Sequence, residues 1–190
     1  MNISRQMAEA GITWKIHSFS AAEAEAITGV SQIVQRDWRR RKIIGGEAVN
    51  GRVRYAPIEL AAIILLKAFS DAGLPLSMDA KTWFFAVQSI DAFAAEGGGA
   101  VISRNVNSVM EDCIYSIFRF EQRASFMIFY RPGFDGEECS VLFNDMDKFE
   151  MNDIYLHGGF STSFSIIGLA SLGMRIANSR YKLYSASQKF

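Results

Sequence analysis

The chain has few of the residues that bind structural metals or form disulfides. It contains two cysteines, Cys113 and Cys139, and two histidines, His17 and His157. Neither cysteine belongs to a Cys-x-x-Cys pair, and the two histidines lie far apart in the sequence. These absences argue against a disulfide scaffold and a structural zinc cluster. We therefore expect a protein with no metal and no cofactor.

Proline and long apolar runs are also scarce. Three prolines and no low-complexity tract argue against a disordered or fibrous chain. The longest apolar run, Leu60–Leu66, is far shorter than the roughly 20 residues that span a bilayer, and Met1–Gly11 lacks the apolar core of a secretory signal. A chain of 190 residues that is 49% hydrophobic can bury a real core. We expect a soluble cytoplasmic globular protein without a membrane partner.

Net charge is absent from the chain as a whole but not from its parts. Residues 1–69 carry ten basic and six acidic side chains. Residues 70–160 carry six basic and fourteen acidic side chains, and residues 161–190 carry four basic side chains and no acidic one. The excess of positive charge is greatest over Ser31–Tyr55, which contains seven basic residues and two acidic ones. A polyanionic partner therefore suits the N-terminal part and not the middle. The alternative is that the basic cluster is only a solvated helix face.

Two short helices separated by a glycine turn are predicted near the N-terminus. Ser20 and Glu23 have the spacing of a capping box, which starts a helix that runs to about Ile27. Gly29 breaks this helix because glycine tolerates a left-handed backbone. A second helix is predicted over residues 31–42, capped by Ser31, with apolar positions at Ile33, Val34 and Trp38. This is the helix-turn-helix pattern.

A hairpin and two longer helices are predicted next. Asn50-Gly51 suits a type I′ turn, in which both central residues need a positive φ, and strand alternation places Arg52 and Arg54 on one face. Pro57 opens a third helix that is apolar nearly all round and therefore forms a buried spine. A fourth helix is predicted from Ser77 to about Glu96.

The residue composition changes after Gly97-Gly98-Gly99, which is the one candidate linker in the sequence. Ala124–Tyr130 and Ser140–Phe143 have the composition of strands. Cys113–Phe120 fits either a helix or a strand, and Ser163 to about Asn178 is predicted to be helical. We therefore expect an α+β fold. Its parts are a winged helix-turn-helix domain with its following helix over residues 1–96, and a small mixed α/β domain for dimerisation or effector binding over residues 100–190.

A series of short motifs between Thr28 and Leu76 has a characteristic order and spacing. The motifs are Thr28-Gly29-Val30-Ser31, Arg36, Trp38, Ile43-Ile44, Arg54-Tyr55, Glu59-Leu60 and Ala72-Gly73-Leu74. Over roughly 60 residues the chain thereby resembles the MerR family of winged helix-turn-helix regulators. The resemblance implies a head that binds double-stranded DNA, with the arginines of the hairpin reaching an adjacent backbone or minor groove.

Candidate DNA contacts follow from how a helix enters the major groove. The first residues of such a helix point at base edges, where Gln pairs with adenine and Arg with guanine. Basic residues at the far end contact phosphates, which position the protein without reading sequence. We expect base contacts from Ser31, Gln32, Gln35 and Arg36, phosphate contacts from Arg39 and Arg40, and hairpin contacts from Arg52, Arg54 and Tyr55.

Several of these residues have a structural alternative. Trp38 suits a core position, and basic residues after it would offset the helix macrodipole without any ligand. Arg54 suits an ion pair, and Tyr55 suits packing beneath the hairpin.

Catalytic hypotheses have weaker support. Asp145, Asp147, Asp153 and His157 could form a metal or acid–base site, but an exposed acidic loop is the better explanation of them. The two cysteines suit inert core positions. The sequence contains no phosphate-binding glycine motif. We therefore expect no enzyme activity.

The favoured function is a sequence-specific DNA-binding transcriptional regulator. One recognition helix reads about one half-site, which predicts a homodimer on a palindrome, and the C-terminal domain leaves room for a small-molecule or protein effector. The alternative is a phage or mobile-element factor, similar to an excisionase or a small terminase subunit, that assembles a nucleoprotein complex. A third hypothesis is an interaction module that does not bind DNA.

Overall fold

The fold was determined from a computed structural model that describes residues 11–76, 80–102, 123–130, 139–144 and 164–188. Helices and strands are mixed along the chain, which confirms the α+β class. In chain order the elements are β1 (Ile12–Ile16), β2 (Phe19–Ser20), α1 (Ala21–Thr28), α2 (Gln32–Arg40), β3 (Glu47–Val49), β4 (Arg52–Tyr55), α3 (Pro57–Asp71), α4 (Ala80–Ala94), β5 (Ala100–Ile102), β6 (Phe126–Tyr130), β7 (Cys139–Phe143), β8 (Phe164–Gly168), α5 (Leu169–Ala177) and β9 (Tyr184–Gln188).

Local capping signals set the limits of α1 and α2. The predicted capping box is present, since the Glu23 amide donates to Ser20 Oγ at 3.3 Å and the Ser20 amide to Glu23 Oε2 at 2.7 Å. Gly29 then takes a left-handed backbone with φ of 73°. Helix α2 ends at Arg40, earlier than predicted, because Lys42 adopts a φ of 58° that is incompatible with a right-handed helix.

The predicted hairpin is confirmed and belongs to a small antiparallel sheet with strand order β2-β4-β3. Asn50 and Gly51 have φ values of 50° and 73°, as a type I′ turn requires. On the other side of β4, Phe19 pairs with Tyr55 and Ser20 with Arg54. The strand β2 thus ties the start of α1 to the hairpin.

The predicted buried helix α3 packs against α4 and β6 in the core of the described chain. Leu60, Ile63 and Leu65 are fully buried. The ring of Phe69 packs edge-on against Trp83 of α4, with centroids 6.3 Å apart, and against Phe129 of β6 at 5.0 Å. One hydrophobic cluster therefore includes side chains of α1, α2, α3 and α4 together with side chains of β6, β8, α5 and β9.

The prediction that Gly97-Gly98-Gly99 forms a linker is wrong. These glycines lie in a short turn that connects α4 directly to β5, and Gly98 has a non-helical φ of 108°. A Cβ at Gly97 would come within 2.6 Å of Met174 Sδ, and one at Gly99 within 2.5 Å of the Ala94 carbonyl. Glycine is needed here because α5 and the turn itself pack too closely for a side chain.

The termini of the described chain meet in a second sheet with order β1-β9-β5. Strand β9 pairs antiparallel with β1 and parallel with β5. The division into residues 1–96 and 100–190 stays a prediction, although β1 and β9 come from opposite sides of it.

The C-terminal predictions are confirmed in part. Strands β6 and β7 form where expected and pair antiparallel, but the helix predicted from Ser163 begins only at Leu169. Residues 164–168 form β8 instead, with Ile167 buried and Ile166 exposed in strand alternation.

Three predictions concern segments outside the described residues. These segments are Cys113–Phe120, the acidic stretch with His157, and the predicted start of α4 at Ser77. No helix in the described ranges is both long and apolar enough to cross a bilayer.

Candidate nucleic-acid interface

The outward face of α2 combines one apolar side chain with two basic ones. Ile33, Arg36 and Arg40 are exposed, and their spacing of three and four residues places them along the same face. Ile33 is 78% exposed, and the neighbouring Val34 is 38% exposed. Of the three predicted apolar positions only Trp38 is buried, which confirms its structural role. The helix therefore presents a mixed apolar and basic surface to its surroundings.

The predicted base contact by Gln35 is wrong. Its side chain is 1% exposed, and its Nε2 donates to the Val30 carbonyl at 2.7 Å and to the Ala21 carbonyl at 3.1 Å. These bonds hold α2 against the turn and the start of α1. The sequence could have indicated this burial, because Gln35 lies three residues before Trp38 and therefore shares its buried helix face.

The first residues of α2 have different roles. Ser31 Oγ accepts the Val34 amide at 3.4 Å and therefore acts as the N-cap. Gln32 is exposed, and its Nε2 donates to Glu25 Oε2 at 2.9 Å. Of the predicted polar base contacts, Gln32 and Arg36 lie fully at the surface, while Ser31 is half-buried.

An open cleft of about 520 Å³ separates the end of α2 from the segment that leads into the hairpin. Its lining comprises Arg36, Arg39, Arg40, Ile44, Gly45 and Gly46. A Cβ at Gly46 would lie 3.0 Å from Val53 Cγ2 and 3.1 Å from Tyr55 Cε1, so the backbone packs tightly onto β4 here. The cleft is thus lined by three arginines of α2 and by the segment that leads into the hairpin.

Ion pairing leaves some of the predicted arginines free of carboxylates. Arg40 pairs with Asp37 at 2.7 Å, and Arg41 lies 3.7 Å from the same carboxylate. The Arg40 side chain is nevertheless 79% exposed, so this pair contributes little to stability. Across the described ranges, Arg36, Arg39 and Arg52 have no carboxylate within 4.0 Å.

Arg54 forms an ion pair with Glu23, which is the structural role that the sequence offered as the alternative to a DNA contact. Its Nη1 lies 3.4 Å from Glu23 Oε2, and both side chains are half-buried. Hydrogen bonds from the Ser20 amide and hydroxyl lower the pKa of Glu23, and the charges of Arg54 and Arg180 lower it further. Arg180, after α5, therefore lies near this end of the hairpin. The sequence alone does not reveal Arg180, because nothing local links it to α1.

The predicted phosphate contact by Tyr55 is wrong, and the packing alternative is confirmed. The residue is 1% exposed beneath the hairpin. Burial raises the pKa of its hydroxyl, while the adjacent Arg39 guanidinium opposes that shift. The Tyr55 hydroxyl therefore lies near Arg39, which lines the cleft.

Comparisons with known proteins add no family assignment. No family model matches the chain, and no curated protein matches it. In the part of the chain that the structure describes, no group of three or more His, Cys, Asp or Glu side chains could hold a metal ion.

Proposed function

We propose that residues 19–76 form a winged helix-turn-helix that binds double-stranded DNA in a sequence-dependent manner. The observation that carries this proposal is the cleft lined by Arg36, Arg39 and Arg40, of which Arg36 and Arg39 have no carboxylate partner in the described chain. Guanidinium groups that gather without counter-charges favour an anionic ligand, and the phosphates of a DNA backbone can accept bidentate hydrogen bonds from them.

The arrangement of α2 supports a place in the major groove. Its outward face is free of packing, and Arg36 lies one turn after its start. Arg36 would contact guanine through O6 and N7, with about 1–3 kcal/mol of discrimination. Arg39 and Arg40, near the helix end, would contact phosphates.

The hairpin β3–β4 supports a second contact beside the helix. Its residues from Glu47 to Arg52 are exposed, and Arg52 has no carboxylate partner in the described chain. Arg52 would reach the backbone or minor groove next to α2. Arg54 would contribute less, because it already pairs with Glu23.

We further propose that the protein acts as a homodimeric transcriptional regulator. One helix of this length reads about one half-site, which rarely suffices for tight specific binding. Two copies on a palindrome would supply the missing affinity. The acidic middle of the chain would then face away from the duplex.

Selection from a pool of randomised DNA duplexes with the full chain tests this function. We expect enrichment of one sequence. The logarithm of the binding constant should fall with the logarithm of the salt concentration with a slope of about −2.7 for each bound copy of the chain, which corresponds to the three contacts of Arg39, Arg40 and Arg52. An inverted repeat would support the homodimer, whereas clustered direct repeats would favour the factor that assembles a nucleoprotein complex. No enrichment and no salt dependence would contradict DNA binding.

A further inference from the structure

Ile33 is the most exposed of the large hydrophobic side chains in the described chain. It is 78% exposed, compared with 58% for Ile16 and 52% for Phe84. Isolated exposed apolar residues are ordinary on protein surfaces. Ile33 differs because it shares a helix face with Arg36 and Arg40, beside the basic cleft.

The first turn of α2 has few other groups with which to read a base. Ser31 Oγ is engaged as the helix cap, Gln35 is buried, and Gln32 is bonded to Glu25. The apolar branch of Ile33 is therefore the main free surface at the end of α2 that would face the bases.

We propose that Ile33 recognises the C5-methyl group of a thymine in the major groove. This inference rests on the proposed DNA binding. The thymine methyl is the apolar group that a base pair presents in that groove. The charge of the neighbouring arginines matches a duplex better than it matches an apolar protein partner.

The helix geometry also locates this thymine. Ile33 and Arg36 are separated by about 4.5 Å along the helix axis, which is between one and two base-pair steps of about 3.4 Å. The thymine should therefore lie one or two base pairs from the guanine that Arg36 contacts. Burial of one methyl group corresponds to about a fourfold gain in affinity.

Replacement of single thymines by uracil tests the inference, because uracil keeps the base pairing and removes only the methyl group. The probe is the duplex enriched by the wild-type chain from a randomised pool. We expect one thymine in each half-site at which uracil weakens wild-type binding about fourfold. The same replacement should leave the affinity of Ile33→Ala nearly unchanged, while Ile33→Val keeps most of the effect.

Ile166→Ala is the matched control, because Ile166 is another exposed isoleucine and lies in β8. It should retain the full sensitivity to uracil. The exposure of Ile33 predicts that Ile33→Ala folds normally, which a thermal melt checks. A full uracil effect in Ile33→Ala, or no sensitive thymine in the wild type, would overturn the inference while DNA binding stands. Failure of the wild type to bind any duplex would overturn both.

Discussion

At the scale of single residues, two glutamines of α2 show how position decides role. Gln35 faces inward and donates to the carbonyls of Val30 and Ala21, while Gln32 lies at the surface and donates to Glu25. Both side chains could pair with adenine in isolation. The face on which each one lies decides whether its hydrogen bond is made in the interior or at the surface.

Replacement of Gln35 should therefore affect stability more than replacement of Gln32. Gln35→Ala removes the two hydrogen bonds of a buried side chain and leaves a void, so we expect the free energy of unfolding to fall by about 2 kcal/mol. Gln32→Ala should change it by less than about 0.5 kcal/mol. Urea unfolding of both variants measures the difference. Equal losses would show that the hydrogen bonds of Gln35 contribute nothing.

The arginines of α2 should differ in what they contribute to DNA binding. We expect Arg36→Ala to relax the preference for one base pair, because it removes a base contact. Arg40→Ala should weaken binding to all duplexes and reduce the salt slope by about 1, because it removes a phosphate contact. Lys15→Ala in β1 is the control. Fluorescence anisotropy on cognate and scrambled duplexes distinguishes the two effects, and unchanged affinity in both arginine variants would refute the placement of α2.

At the scale of elements, the hairpin depends on its tip. Gly51 has a φ of 73°, and a Cβ at this position would meet no other atom within 4 Å, so backbone strain alone decides which residues fit. We expect Gly51→Val to lower the free energy of unfolding by about 1–2 kcal/mol. Gly51→Asn should cost less, because asparagine tolerates the left-handed region. Urea unfolding compares the two, and an equal cost would contradict the type I′ assignment.

The elements that can be predicted from the sequence are those with local signals. The capping box at Ser20, the Asn50-Gly51 turn and Pro57 at the start of α3 each act within a few residues. Strand β8 has no such signal, because its pairing with β6 decides its structure and the residues of β6 lie far away in the sequence. Gly97 and Gly99 resemble a linker for the same reason, since their need for glycine comes in part from distant neighbours such as Met174 and Leu183.

The candidate site was predictable to a similar extent. The basic character of α2 and the hairpin arginines follow from the sequence alone. The burial of Tyr55 and the pairing of Arg54 with Glu23 depend on how β4 packs against β2 and α1. Arg180 reaches the same region only through the fold of the whole chain.

At the scale of the whole molecule, a partly buried polar contact joins α4 to the terminal sheet. The Tyr184 hydroxyl of β9 donates to Asp91 Oδ2 of α4 at 2.6 Å, and Trp14 of β1 stacks on the Tyr184 ring with centroids 5.4 Å apart. Burial raises the pKa of Asp91 to about 6, and the bond from Tyr184 opposes this shift. Burial and the nearby Asp91 raise the pKa of Tyr184.

This contact predicts how stability depends on pH. Between about pH 4 and 6 the folded chain binds a proton at Asp91 that the unfolded chain has released, so stability falls as the pH rises through that window, by about 3 kcal/mol. Glu23 acts in the opposite sense below pH 4.5, because folding lowers its pKa. Asp91→Asn should remove the fall between pH 4 and 6 and stabilise the protein at pH 7. Urea unfolding across this range measures the effect, and an unchanged pH profile in Asp91→Asn would contradict it.

Hydrogen exchange of the full chain, with and without its selected duplex, tests most directly whether α2 and the hairpin contact DNA together. We predict that the duplex slows amide exchange over residues 32–40 and 47–55 and leaves β6 and β8 unchanged. Binding that protects α5 or the terminal sheet, with no change over residues 32–55, would contradict the proposed interface.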